Sequence, residues 1–72
     1  MSLQQHHEYR EVIDDQSIAM MTRVLDNECA RRGIRRDSIQ GEDFARVILH
    51  AFISGMTEEE DLRVLVQSQK LI

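Results

Sequence analysis

Proline is missing from the 72 residues, glycine occurs only three times, and cysteine occurs once. Without proline nothing forces a break in a helix, and the plentiful Ala, Leu, Met, Glu, Gln and Arg lose little rotamer freedom there, so an all-α chain is expected. The single Cys29 cannot form an intrachain disulfide, and a lone thiol fits a reducing compartment. No apolar run approaches the ~20 residues that span a bilayer, and the segment after Met1 has neither a basic start nor an apolar stretch. These absences predict a cytoplasmic protein with no membrane segment.

Chemistry-bearing motifs are equally scarce. There is no glycine-rich phosphate loop, nucleophile elbow or CxxC pair, and no spacing assembles a nucleophile, a base and an oxyanion hole. The expectation is a protein that is not an enzyme and needs no cofactor. Thirteen acidic residues against nine basic ones give a formal charge of -4, which works against phosphate neutralisation as the main task of the surface.

A chain this short buries only roughly 60% of the surface its unfolded form exposes, so its core is marginal and a second copy is an economical source of further burial. Residues 1–13 are polar, with Leu3 and Tyr9 too sparse to define a buried face, and predict a flexible N-terminal arm; residues 14–72 predict one three-helix domain. His6 and His7 in the arm lack convergent third and fourth ligands and predict no metal site.

The first helix is announced by Asp14 as N-cap, with Ile13 and Ile18 at the spacing of a hydrophobic staple. Ile18, Met21, Leu25 and Cys29 then recur at three and four residues as its inward stripe, widened by Met20 and Val24. Arg31 and Arg32 suit the last turn, and Gly33 suits a left-handed ending, so the helix is predicted over about Asp15 to Arg32. The connection Ile34–Gly41 is expected to fold onto the core through Ile34 and Ile39, with Asp37 or Ser38 capping a lead-in turn. The second helix carries Phe44, Val47, Ile48, Ala51 and Phe52 on one face, with Leu49 and Ile53 continuing around the cylinder. Its apolar residues occupy roughly two thirds of the circumference, more than a surface helix needs.

The acidic burst Glu58-Glu59-Glu60-Asp61 follows Gly55 and Met56, which suit a Schellman ending, and Thr57 with Glu60 spells a capping box. Four successive helical residues point 100° apart and cannot converge on one cation, so the acids read as start signals for a third helix facing inward through Leu62, Leu65 and Val66. Cys29, near a helix C-terminus, reads as a small core hydrophobe, and His50 as an exposed or interfacial residue with no acid or nucleophile spaced to orient it.

Self-association is predicted through Met20, Val24, Leu49, Ile53 and Val64, giving a homodimeric protein-interaction or regulatory module. The second candidate surface is the cluster Arg31, Arg32, Arg35 and Arg36, which would serve a protein partner or, as the alternative, a small nucleic-acid-associated regulator. Nucleic acid is the weaker reading, because no aromatics interleave with these arginines and the connection after them is longer than a helix-turn-helix turn.

Ile18, Met21, Leu25, Cys29 and Gly33, followed by Ala45-Arg46-Val47-Ile48, Gly55 and Asp61-Leu62, form a pattern over residues 14 to 66. It resembles that of small uncharacterised helical proteins of α-proteobacteria, of rhizobial type. The resemblance implies a short all-helical protein and carries over no catalytic residue.

Overall fold

The computed structural model describes residues 13–70, and the arm that includes His6 and His7 lies outside the described residues. Three helices follow one another: α1 over Asp15–Arg32, α2 over Ile39–Ile53 and α3 over Glu59–Ser68, with no strand among the described residues. None of the helices is long and apolar enough to cross a membrane.

Local chemistry sets most of these boundaries. Asp14 is extended and its carboxylate accepts from the Ser17 amide at 2.8 Å, so α1 starts where a free N–H finds an acceptor. At the other end Gly33 adopts φ 72, the Gly33 amide donates to the Ala30 carbonyl and the Ile34 amide to that of Cys29, a Schellman closure. The same pair of bonds ends α2, from Gly55 to Phe52 and from Met56 to Ala51, with Gly55 at φ 118.

Two helix starts differ from the sequence expectation. Ser38 caps α2, its hydroxyl accepting from the Gly41 amide at 3.0 Å, so the helix begins at Ile39 and takes in what read as connection. Ile39 therefore stands on the outer side of the first turn and is 78% exposed, whereas Ile34 packs against the core. Thr57 does not cap α3: the chain leaves the Schellman turn extended, Glu58 sits at the N-cap with no side-chain hydrogen bond, and Glu59, Glu60 and Asp61 fill the first turn.

The core joins all three helices through Met21 and Val24 of α1, Phe44, Ile48 and Phe52 of α2, and Leu62 and Val66 of α3. Each such side chain contributes roughly 1.5–3 kcal/mol on full burial. On α1 the buried residues are Met21, Val24, Glu28 and Cys29, so the inward face is turned away from Ile18, which is exposed, and toward Val24. A charged residue, Glu28, therefore takes a place in the inward stripe, toward its C-terminal end.

α3 runs parallel to α1, pinned at two heights. Arg23 holds Glu59 at the start of α3 with bonds of 3.1 and 2.8 Å, and Arg32, nine residues on, reaches the Val66 and Gln69 carbonyls at its end. The pair at Arg23 is exposed and screened by solvent, so it adds little to stability and serves mainly as a point of registration.

Gly41 lies in the first turn of α2 against the connection. A Cβ there would fall inside van der Waals contact with the Arg35 and Arg36 carbonyl oxygens, which are backbone and cannot swing aside. Alanine is the better helix former by ~1 kcal/mol, yet we expect Gly41→Ala to lower stability by about 1–3 kcal/mol in urea denaturation, because the overpacking outweighs the propensity.

Candidate functional site

The last turn of α1 holds the only charged side chain that is buried among the described residues. Glu28 is 3% exposed and lies one turn beyond Val24, with Arg31 and Arg32 following at i+3 and i+4. Arg31 donates twice to it, Nε to Oε1 at 3.1 Å and Nη2 to Oε2 at 2.6 Å, and the Nε of Arg32 donates to Oε2. Burial is the largest single influence on the Glu28 carboxyl and pushes its pKa up, but the hydrogen bonds and charges of the two guanidiniums together outweigh it and the net shift is downward.

Arg32 also reaches the neighbouring helices. Its Nη2 donates to the Val66 carbonyl at 3.0 Å and the Gln69 carbonyl at 2.6 Å, and its guanidinium stacks 4.4 Å from the centroid of the Phe44 ring. α3 has no basic residue in its own last turn, so α1 supplies the cation that its C-terminal carbonyls favour. One side chain thus touches all three helices. No buried side-chain nitrogen or oxygen among the described residues lacks a partner.

This geometry changes the candidate arginine patch. Arg32 is largely withdrawn from the surface, and the other three guanidiniums engage carboxylates: Arg31 with Glu28, Arg35 with Asp37 at 2.9 Å and Arg36 with Asp26 at 2.9 Å. A sequence signal for the network was present as Glu28-x-x-Arg31-Arg32, opposite charges at helical contact spacing on the inward side of α1. An inward stripe drawn through apolar residues alone passes over it.

The five residues expected to form an interface do not form one surface. Val24 is fully buried in the chain's own core, a correction that follows from the inward turn of α1, and Met20 packs against the same core. Val64 is exposed on α3, about 200° around the helix from the buried Leu62. Leu49 and Ile53 do lie together, one turn apart on the outer side of α2 and 39% and 54% exposed.

Beside them is a feature the sequence reading missed. Ile13, Ile18 and Leu25 on the α1 side, with Ala45, Ile48 and Leu49 on α2, line an apolar groove of about 320 Å3. Ile18 belongs to this flank because it stands seven residues from Leu25, two turns along one line.

Cys29 is buried near the end of α1; burial, helped by the Asp26 and Glu28 carboxylates, pushes its thiol pKa up, which keeps it protonated and unreactive. Two of the four acids at the start of α3 are held in ion pairs, Glu59 with Arg23 and Glu60 with Arg63. Among the described residues no three of His, Cys, Asp and Glu come together as a metal site.

Because the pKa of Glu28 is lowered in the folded chain, its contribution to stability is present above the ordinary glutamate value of about 4.3 and is lost as pH falls through the folded value. We expect Glu28→Gln to cost about 3 kcal/mol or more at neutral pH, since it leaves two guanidiniums without their carboxylate. The variant should also lose less additional stability than the parent between pH 6 and pH 3, read by denaturation followed by circular dichroism.

Comparison with known proteins returns no match, whether to a family model, a curated protein or a solved structure, so what this chain does rests on its own chemistry.

Proposed function

We propose that the chain is a protein-interaction module that works as a homodimer in a reducing compartment, where Cys29 stays a thiol. The observation that carries this reading is the apolar surface left over beside α2: Leu49 and Ile53 stand exposed next to the groove that Ile18 rims. Singly exposed apolar side chains are ordinary, but neighbouring ones flanking an apolar groove mark a surface that gains from being covered. A core of seven buried apolar residues in a domain this small leaves association as a source of further stability.

The arginines support the same reading from the other side. A cluster in which each guanidinium already holds a carboxylate gains less from phosphates than a free one, and its mixed charge suits recognition of another protein surface. Regulation follows from occupancy: a partner that covers the α1–α2 groove competes with, or adds to, the pairing of the two copies.

Light scattering on the purified chain should give twice the mass of one chain. Leu49→Glu combined with Ile53→Glu should weaken the dimer by at least about 100-fold, because each side chain is worth roughly 1.5–3 kcal/mol when fully buried and 1.4 kcal/mol is tenfold in affinity. Helical content should stay unchanged, since both side chains are accessible in the single chain. A parent chain that remains single at millimolar concentration contradicts the reading.

A further inference from the structure

The outer face of α2 has a symmetry of its own. Ile39 and Ile53 lie seven residues either side of Arg46, two turns each way, within about 20° of one line along the helix. Both are exposed, although they are isoleucines at the two ends of a helix whose other face fills the core. Between them lie Asp43 and His50 on one side of the line, and Glu42 and the apolar Leu49 on the other.

A two-fold axis imposes a specific demand on such a face: the same patch must be complementary to itself when reversed. Antiparallel packing with the axis at Arg46 meets it. Ile39 then faces the partner's Ile53 at both ends, and Asp43 faces the partner's His50, whose ring N–H can donate to the carboxylate. The one like-charge meeting, Arg46 with its own symmetry mate, is relieved by the direction each side chain takes. Arg46 leans back toward Asp43, 3.5 Å away, so in two antiparallel helices the guanidiniums diverge to opposite ends. Parallel packing would instead set Asp43 beside the partner's Glu42, acid against acid, and Arg46 beside Arg46 with both arginines leaning the same way.

We infer that a second copy of this chain packs its α2 antiparallel on α2 with the two-fold axis at Arg46, seating Ile39 against the partner's Ile53 and Asp43 against the partner's His50. The inference rests on the homodimer reading and specifies its geometry. It gives Ile39, a residue too exposed for the core, a burial site, and leaves the α1–α2 groove open on the flank for a different protein.

Engineered thiols test the register. The parent chain serves as control, because its one thiol, Cys29, is buried. Under mild oxidation Arg46→Cys should form a disulfide across the axis. A mixture of Ile39→Cys and Ile53→Cys chains should cross-link to the mixed dimer at least tenfold faster than either does alone, because like positions lie about 21 Å apart in the antiparallel pair. Light scattering on each variant is read in parallel. Fastest cross-linking of Ile39→Cys with itself would overturn the antiparallel direction. A dimeric mass without cross-linking either at Arg46→Cys or in the mixture would overturn the choice of face while leaving the homodimer standing. A single-chain mass throughout would remove the homodimer reading and this geometry with it.

Discussion

The carboxylate of Glu28, buried toward the C-terminal end of the inward stripe of α1, is the constraint around which the domain is arranged. A charge in that position is tolerable only if opposite charge reaches it with good geometry, and two arginines in the next turn do so. Arg32 must lie inward to reach it, and once inward it brings donors to the end of α3 and a planar cation to Phe44. The position of α3 follows: its last carbonyls come to the guanidinium, and Leu62 and Val66 are carried into the gap between α1 and α2. Apolar burial supplies most of the stabilisation, while the ionic cluster fixes which way the third helix lies.

The ends of α1 and the end of α2 were legible in the sequence because each rests on a backbone requirement that few residues meet. Asp14 supplies an acceptor to free amides, and Gly33 and Gly55 take conformations that a side chain resists. The beginnings of α2 and α3 were not. Ser38 and Asp37 offered equivalent caps; in the structure Ser38 accepts from the Gly41 amide and Asp37 is held by Arg35, so the helix starts at Ile39. Thr57 and Glu60 spell a capping box, but the chain emerges extended from the turn at Gly55 and the helix starts two residues after Thr57.

The larger misreading concerns faces rather than boundaries. Periodicity weighs apolar residues alone, so with Glu28 left out of the stripe the inward direction of α1 tilts toward Ile18 and Leu25, and Val24 falls on its flank. Counting Glu28 and Arg32 as inward turns the face to Met21, Val24 and Cys29 and frees Ile18 for the groove beside Leu49. Leu49 and Ile53, by contrast, were legible as surplus: the width of the apolar arc on α2 exceeded what two neighbours can cover, and those two are the residues left outside on its C-terminal half. The candidate interaction surface is thus the remainder after the core is satisfied, and its extent depends on how the ionic cluster orients α1.

A double-mutant cycle on Glu28 and Arg32 is the most direct measurement of that dependence. With Glu28→Leu, Arg32→Met and the pair combined, the account predicts that the combined variant is more stable than the sum of the single losses by about 2 kcal/mol or more, because Glu28→Leu strands the inward Arg32 guanidinium that the second change removes, and Arg32→Met takes a donor from a buried carboxylate that is absent in the pair. Losses that add to within about 0.5 kcal/mol would contradict it, showing the two side chains to be independent and the orientation of α3 to be set by apolar packing alone.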